Sequence, residues 1–229
     1  MPQENHQMDD PRTIARKLAS EALSSGRLLD WFEHLYARAL STGVPIPWAD
    51  RVPNPNLIEL YERVRHLPFG KRALKVGCGL GDDAEWLAVQ GFDVTAFDIS
   101  PSAIEECHRR FPDSIVHYVE ADLFRAPPEW SAAFDLVQES YTLQVLPFEL
   151  RAAAIEKICE FVAPSGYLLF ITRAREESDP PGAMPWPLTR READRFVAHG
   201  FSEVYFEDYI DQERPPVRRL RACYRRISA

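Results

Sequence analysis

The stretch from Ala73 to Ser100 reads ALKVGCGLGDDAEWLAVQGFDVTAFDIS and decides the fold. A short apolar strand ends in the glycine turn Gly77-Cys78-Gly79-Leu80-Gly81, and a helical pattern follows. Gly91 stops that helix, and a second strand runs from Phe92 to Phe97 and ends at Asp98. Glycines let the backbone turn sharply and approach a ligand. An acid about twenty residues beyond such a turn can accept hydrogen bonds from ribose hydroxyls. This order predicts the first half of a nucleotide-binding α/β sheet.

The residues after the turn indicate which kind of nucleotide it suits. A dinucleotide fingerprint has a third glycine or alanine three residues after the second, whereas here Asp82 and Asp83 directly follow Gly81. Two carboxylates suit the positive end of a helix dipole, but they repel a pyrophosphate. The turn therefore predicts a nucleoside ligand without phosphates and disfavours a nicotinamide-dependent reductase. S-adenosylmethionine (SAM) meets this requirement, because it carries adenine, ribose, a sulfonium and an ammonium group.

Composition limits the classes of partner. The 229 residues contain 45% hydrophobic and 27% charged residues, which is typical of a soluble globular protein. A net charge of -8 disfavours nucleic acid, and no apolar run approaches membrane-spanning length. The four cysteines include no CxxC pair, and Met1 to Asp10 lacks the form of a signal peptide. We expect a cytoplasmic protein, monomeric or homodimeric, with no metal site and a small-molecule partner.

The chain divides into a front section and a sheet. Apolar residues at helical spacing predict helices over Arg12 to Ser25 and Leu28 to Ser41, and a further helix ends near His66. We expect residues 1–66 to form an N-terminal helical cap, with 1–11 disordered, and residues 67–229 to form the SAM-binding domain. The cap and the proline-rich loop from Arg173 to Leu188 are predicted to close over the open edge of the sheet.

Strands and helices alternate through the second part of the chain. This alternation predicts an α/β fold with a doubly wound, mostly parallel sheet of seven strands that ends in an antiparallel hairpin. The sequence does not give the strand order. After the first two strands, the predicted strands are Ile115 to Val119, Phe134 to Gln138, Gly166 to Thr172, Val204 to Tyr209 and Arg218 to Ile227.

Polar residues follow four of the predicted strands. In a sheet of this type ligands bind outside the carboxyl ends of the strands. We expect Asp98 to bind the ribose and Asp122 the adenine amino group, since a carboxylate accepts and an amine donates. Glu139 is expected near the methionine end of the cofactor or the methyl acceptor. The full set of predicted cofactor contacts is Gly77, Cys78, Gly79, Asp98, Ile99, Ala121, Asp122, Leu123 and Glu139.

The opening stretch resembles the first two motifs of class I SAM-dependent methyltransferases, and other segments narrow the resemblance. Thiopurine methyltransferases and related thiol and halide methyltransferases share with this chain a proline-rich front segment, the glycine turn region and the region after strand four. The matching residues are Pro47-Trp48, Asp50, Pro53, Pro55, Leu57, Cys78-Gly79, Asp83, Trp86-Leu87-Ala88, Gly91, Val94, Asp98-Ile99-Ser100, Phe134-Asp135, Glu139, Leu143, Leu146-Pro147 and Arg151. Two positions depart: Ser140 replaces the arginine of that group, and Lys75 stands where many class I members have an acid.

The resemblance implies a Rossmann-like methyltransferase that uses SAM and releases S-adenosylhomocysteine (SAH). It suggests a small acceptor, with sulfur as the leading acceptor atom, because a soft thiol needs little help from a base. An oxygen or nitrogen acceptor, which would need a base, stays open, as does a non-catalytic SAM-binding module. Candidate catalytic residues are Glu139 and Tyr141. Candidate walls of the substrate pocket are Trp31, Trp48, Tyr141 and Trp186.

Overall fold

A computed structural model describes residues 10–228 and shows eight α-helices and seven β-strands in this part of the chain. The helices are α1 (Pro11–Ser24), α2 (Asp30–Thr42), α3 (Pro55–Val64), α4 (Asp82–Val89), α5 (Pro101–Arg110), α6 (Phe148–Phe161), α7 (Arg190–Ala193) and α8 (Arg195–Ala198). The strands are β1 (Arg72–Val76), β2 (Asp93–Asp98), β3 (His117–Glu120), β4 (Phe134–Ser140), β5 (Val162–Arg173), β6 (Phe201–Ile210) and β7 (Arg218–Arg226).

The seven strands form one sheet in the order β3-β2-β1-β4-β5-β7-β6. Strands β1 to β5 are mutually parallel, and β7 pairs antiparallel with both β5 and β6. This confirms the predicted fold class and supplies the strand order. The direction of winding reverses between β1 and β4, and in open α/β sheets the ligand crevice lies at such a switch point.

Helices cover both faces of the sheet. Strand β5 shows this most clearly, since Leu168 and Phe170 enter one hydrophobic cluster while Leu169 and Ile171 enter the other. Successive side chains of a strand point to opposite faces, so an apolar run is required where both faces are buried. The cluster on the first face contains residues of α6 and α8, and the cluster on the second contains residues of α3, α4 and α5.

The front section splits into two parts. Helices α1 and α2 pack on each other and on Met184, which lies in the loop between β5 and α7 (the late loop). The residues in this contact include Ile14, Trp31 and Leu35. Helix α3 instead packs its apolar face against the sheet, where Leu57 is fully buried. The sequence grouped α3 with the cap, but its strongly amphipathic pattern is satisfied by the sheet core.

Several boundaries differ from the sequence predictions. Strand β5 begins at Val162 rather than Gly166, because Val162 pairs with Phe134 across an irregular register. Helices α7 and α8 follow each other directly and are separated at Asp194. Of the segment predicted to be disordered, residues 1–9 lie outside the described residues, while Asp10 caps α1 and Pro11 begins it. From residue 10 to residue 228, no helix has the length and apolarity needed to cross a membrane.

Candidate functional site

A cavity of about 490 Å³ lies at the carboxyl ends of β1 to β5, between the sheet and the front section. Ligand pockets of small-molecule proteins span about 300–1,000 Å³, so this volume suits a cofactor and a small second molecule. The front section contributes Arg12, Arg16, Phe32, Tyr36, Trp48, Asp50, Asn54 and Asn56. The sheet edge and later loops contribute Lys75, Gly77 to Gly79, Asp82, Asp83, Asp98, Ile99, Ala121 to Phe124, Ser140 to Thr142, Gln144 to Leu146, Arg173, Met184, Glu213 and Arg219.

The glycine turn forms the part of the cavity floor next to β1. Gly77 has a φ of 57°, a conformation that favours glycine, and a Cβ there would lie 2.5 Å from the Thr142 hydroxyl oxygen. The Gly79 amide donates to the Asp98 carboxylate at 2.9 Å, and the Cys78 amide donates to the Phe97 carbonyl oxygen at 2.8 Å. The turn is therefore fixed to the end of β2, and Gly77, Cys78 and Gly79 all line the cavity, as the sequence predicted.

Asp98 ends β2 at the cavity wall, with 8% of its surface exposed. One carboxylate oxygen accepts from the Gly79 amide, and the other accepts from the Ser100 amide at 3.0 Å. Burial raises the pKa of Asp98, against the lowering effect of these amides. A carboxylate oxygen has two lone pairs, so each oxygen of Asp98 retains one for a ligand hydroxyl. Ile99 lies beside it on the wall.

Ala121, Asp122 and Leu123 follow β3 and line the cavity next to Asp98. The Asp122 carboxylate accepts from the Phe124 amide at 2.9 Å and so caps a short 3₁₀ turn. The Ala121 amide donates to the Asp98 carbonyl oxygen at 3.0 Å, which ties the two strand ends together. The two carboxylates thus lie at the ends of neighbouring strands, at one edge of the cavity.

Glu139, a predicted catalytic and cofactor residue, lies below the cavity surface with no exposed area. One of its carboxylate oxygens accepts from the amides of Thr142 and Leu143, at 2.8 and 3.1 Å. The other has no hydrogen-bond partner within residues 10–228. Burial raises the pKa of Glu139 to about 7. The side chain closes the turn after β4 because the two amides there need an acceptor, and we assign it a structural role instead of that of a base.

Tyr141, the second predicted catalytic residue, does line the cavity. It adopts a left-handed backbone conformation with φ 67°, and its hydroxyl accepts a hydrogen bond from the Asn56 side-chain amide at 3.1 Å. The Arg219 guanidinium carbon lies 5.0 Å from the centre of its ring. Burial raises the pKa of Tyr141 to about 12, so the phenol keeps its proton at neutral pH. It can donate a hydrogen bond to a ligand, but it is a poor base.

Of the three tryptophans predicted to wall the pocket, Trp48 reaches it. Its indole N–H donates to the Tyr36 hydroxyl at 3.0 Å. Trp31 is 1% exposed and stacks on Phe32 with ring centres 4.0 Å apart, so it supports the wall from behind. Trp186 packs against the hydrophobic cluster formed by α1, α2 and Met184, and its backbone amide donates to the Gln144 carbonyl oxygen at 2.7 Å. Phe32 and Tyr36 are on the wall, because α2 turns that face toward the sheet edge.

Sequence analysis did not assign Lys75 and Asp83 to the site, yet both line it. The Lys75 side chain is buried on β1, where its ammonium nitrogen donates to the Val76 carbonyl oxygen at 3.2 Å and lies 3.7 Å from an Asp83 carboxylate oxygen. The other Asp83 oxygen accepts from the Asn54 amide at 2.8 Å. The wall beside the glycine turn therefore presents both a cation and an anion, which suits a zwitterionic group.

Four arginines that the sequence analysis left unassigned also line the cavity: Arg12, Arg16, Arg173 and Arg219. Arg173 is the last residue of β5, so the rule that drew attention to the other strand ends would also have found it. Strand β7 runs antiparallel to β5, which brings its first residues to the same edge. No residue pattern in α1 marks Arg12 or Arg16 as a wall residue.

The front section and the late loop meet above the cavity. The Arg16 side chain donates to the Met184 carbonyl oxygen at 2.8 Å, and the Met184 side chain is buried against α1 and α2. Helix α2 is held to the sheet domain by Glu33, which accepts from both serine hydroxyls at the start of α5, each at 2.6 Å. These contacts fit the predicted closure, although movement of either segment stays a prediction.

Comparisons with known proteins agree with this geometry. Residues 73–166 match a family model described as a methyltransferase domain. The chain is 23% identical over 180 residues to thiopurine S-methyltransferase of Vibrio atlanticus, covering 72% of this chain and 81% of that protein. It is 29% identical over 167 residues to thiocyanate methyltransferase 1 of Brassica oleracea, covering 71% of each chain.

A solved structure extends the likeness to the fold. The N-methyltransferase NodS of Bradyrhizobium japonicum, in complex with SAH, aligns with a TM-score of 0.65 at 21% identity, over 85% of this chain and 97% of that one. At this identity the likeness shows the shared fold alone. Three further relatives are matched over a smaller part of their own length. They are a malonyl-[acyl-carrier protein] O-methyltransferase (40%), a carboxy-S-adenosyl-L-methionine synthase (53%) and a phthiotriol/phenolphthiotriol dimycocerosates methyltransferase (58%).

Proposed function

We propose that this chain, a Rossmann-like SAM-dependent methyltransferase, methylates a small, partly apolar acceptor and that the acceptor atom is sulfur. The observation that carries the proposal is the combination of a partly covered cavity with the absence of histidine from its described lining residues. The thiopurine and thiocyanate methyltransferases among its relatives support the same class of acceptor.

The cofactor site fits the parts of SAM in order along the strand ends. We assign the ribose hydroxyls to Asp98 and the adenine amino group to Asp122, since both carboxylates retain lone pairs toward the cavity. The methionine end would lie over the glycine turn, where Lys75 and Asp83 offer a partner to each of its charges. A Cβ on Gly77 would lie 2.5 Å from the Thr142 hydroxyl oxygen, so this position of the turn requires glycine.

The size and cover of the cavity restrict the acceptor. The bound cofactor would fill the part of the cavity over β1 to β3. The part over β4, β5 and β7, which lies beneath α1, α2 and the late loop, then remains for the acceptor. Phe32, Leu29 and Val145 give this part an apolar wall. Such partial cover reduces contact with water and helps to align the acceptor with the sulfonium methyl. Alignment is the main contribution a protein makes to an in-line displacement.

The walls favour an acceptor that ionises without help. Among the described lining residues there is no histidine, Tyr141 keeps its proton at neutral pH, and the Glu213 carboxylate is paired with Arg219. Glu139 lies below the cavity surface. A thiol with a pKa of about 8.5 is partly ionised at neutral pH, whereas alcohols and ammonium groups need a base. In the proposed step the thiolate sulfur bonds to the methyl carbon, the bond from that carbon to the sulfonium breaks, and its electron pair neutralises the sulfur of SAH. The thiol proton has left to solvent beforehand.

We further propose that the protein works in a reducing compartment such as the cytoplasm. All four cysteines are free and buried, and Cys78 lies in the cofactor turn, where burial raises the pKa of its thiol. A thiol of this kind packs as a small apolar group and requires no oxidising environment.

The experiment is a panel assay that follows SAM conversion to SAH by mass spectrometry. Thiols, phenols, amines, carboxylates and halides are offered separately, each against a reaction without protein. Methylated product from thiols, with little from phenols and amines of the same skeleton, is expected. Product from amines or carboxylates alone would refute the sulfur assignment.

A further inference from the structure

Two arginines face each other across neighbouring strands at the acceptor end of the cavity. Arg173 of β5 and Arg219 of β7 are direct partners in the antiparallel register. Side chains in such a pair start about 5 Å apart on one face of the sheet, and like charges in this arrangement destabilise it. Both side chains line the cavity. An anion between or above the two guanidinium groups would therefore stabilise the pair.

The protein supplies part of that anion. Arg219 is 2% exposed and donates to both Asp211 and Glu213, so its guanidinium is largely occupied. Arg173 has a weaker contact, with 3.6 Å between its guanidinium and the second Glu213 oxygen. Glu213 is 47% exposed and reaches in from the turn between β6 and β7. Its carboxylate shows that an oxyanion fits between the two arginines, and Arg173 still has donors to offer.

A third arginine adds to the charge at this place. Arg12 of α1 lines the cavity and has no ion-pair partner within residues 10–228. Burial, together with the charges of Arg219 and Arg12, lowers the pKa of Arg173, which reflects an environment short of negative charge. The three guanidinium groups exceed the two carboxylates of Asp211 and Glu213, so the cluster keeps an excess of positive charge.

Charge is unevenly distributed along the cavity. Asp98 ends β2, Asp122 follows β3, and Asp82 and Asp83 begin α4, so these carboxylates outnumber Lys75 in that part of the lining. The arginines stand at β5, β7 and α1, where they outnumber Glu213. The whole chain carries a net charge of -8, so a cationic wall runs against its average composition. The carboxylate half suits the cationic cofactor, which leaves the arginine half for the acceptor.

We infer that the acceptor carries a carboxylate, held by Arg12 and Arg173 at the end of the cavity remote from the cofactor. The inference rests on the proposed function and names the class of its substrate. Strand β4 alone separates β1 from β5, so the glycine turn and Arg173 are about two strand spacings, or about 10 Å, apart. An acceptor with one ring between its sulfur and its carboxylate spans such a gap. Arginine suits the role because its planar fork matches a carboxylate.

The test compares 4-mercaptobenzoate with 4-mercaptobenzamide, which have similar size but differ in charge. Turnover of each is measured as kcat/KM, and binding of each to the SAH-saturated protein is measured by calorimetry. The variants are Arg173→Gln and Arg12→Gln, with Arg27→Gln as the matched control, since Arg27 is an exposed arginine of the front section that pairs with Asp30 outside the cavity. SAH affinity, measured first, shows that each variant is folded.

The wild type and Arg27→Gln should favour the carboxylate over the amide by about ten- to hundredfold, the usual effect of a charged hydrogen bond. Arg173→Gln and Arg12→Gln should each lose most of this preference and keep their affinity for SAH. Equal use of acid and amide by the wild type would overturn the inference and leave the thiol acceptor standing. Arginine-dependent binding of the carboxylate without turnover would sustain the inference and refute the sulfur acceptor. No binding of either compound would overturn the inference.

Discussion

Replacement of Asp98 by alanine tests the cofactor site most sharply. The change removes the hydrogen bond that we propose between the carboxylate and the ribose, and a charged hydrogen bond contributes about 1.5–3 kcal/mol. The affinity for SAM and SAH should therefore fall about ten- to hundredfold. The same change also removes the acceptor of the Gly79 and Ser100 amides, each of which donates to one of the two carboxylate oxygens. Leaving a buried donor without a partner costs about 1–3 kcal/mol, so stability should fall as well.

The two effects are separated by a second variant. Thr189→Ala removes the side chain that caps α7 and accepts from the Glu192 amide at 3.2 Å, which should cost about 1 kcal/mol of stability. It leaves the Asp98 carboxylate and its lone pairs in place. Calorimetric titration with SAH and urea unfolding, run on both variants, should show lost stability in both and a large loss of affinity in Asp98→Ala alone. Unchanged affinity in Asp98→Ala, or an equal loss in both variants, would refute the assignment of Asp98 to the ribose.

Three further changes test other parts of the site. Burial raises the pKa of Glu139 from its ordinary value of 4.5 to about 7 in the native state. The native state therefore holds this proton more tightly than the unfolded chain does. The wild type should lose up to about 3 kcal/mol of folding stability as pH rises from 4.5 to above 7. Glu139→Gln should remove this loss in urea unfolding at pH 5 and pH 8, and an unchanged pH dependence would contradict the buried carboxyl. Tyr141→Phe should lower kcat/KM by about tenfold, the effect of one neutral hydrogen bond, without altering the shape of the pH profile. A disappearance of one limb of that profile would instead identify Tyr141 as a base. Glu33→Gln should weaken the attachment of α2 to α5. Hydrogen exchange in α1 and α2 should then become faster, and the Kd for SAH should rise. Exchange rates equal to those of the wild type would show that Glu33 does not hold the cap.

The sequence was sufficient for the fold because periodicity and strand ends are local features. Asp98 and Asp122 could be placed at the cavity because the carboxyl ends of parallel strands converge on one edge. The same rule put Glu139 there, but it could not foresee that two amides of the following turn would take its carboxylate. Strand order, which brings Arg173 and Arg219 face to face, depends on long-range pairing that no single stretch encodes.

The front section shows a second limit. Its helical spacing was correctly predicted, but spacing alone did not tell which aromatic side chains would face the cavity. Trp48 reaches the wall, whereas Trp31 lies one layer behind it because α1 covers that side of α2. The role of α1 and α2 as a cap that closes on the ligand stays a prediction.

The proposed reaction in this cavity is the transfer of a methyl group from SAM to sulfur. The most direct measurement is a competition in one reaction, with SAM bearing a trideuterated methyl group and equal concentrations of a thiol, a phenol and an amine built on the same carboxylate-bearing ring. Mass spectrometry then reports which atom carries the label. We expect the S-methyl product to predominate in the wild type and its formation to fall in Asp98→Ala. Label found mainly on oxygen or nitrogen would refute the sulfur acceptor.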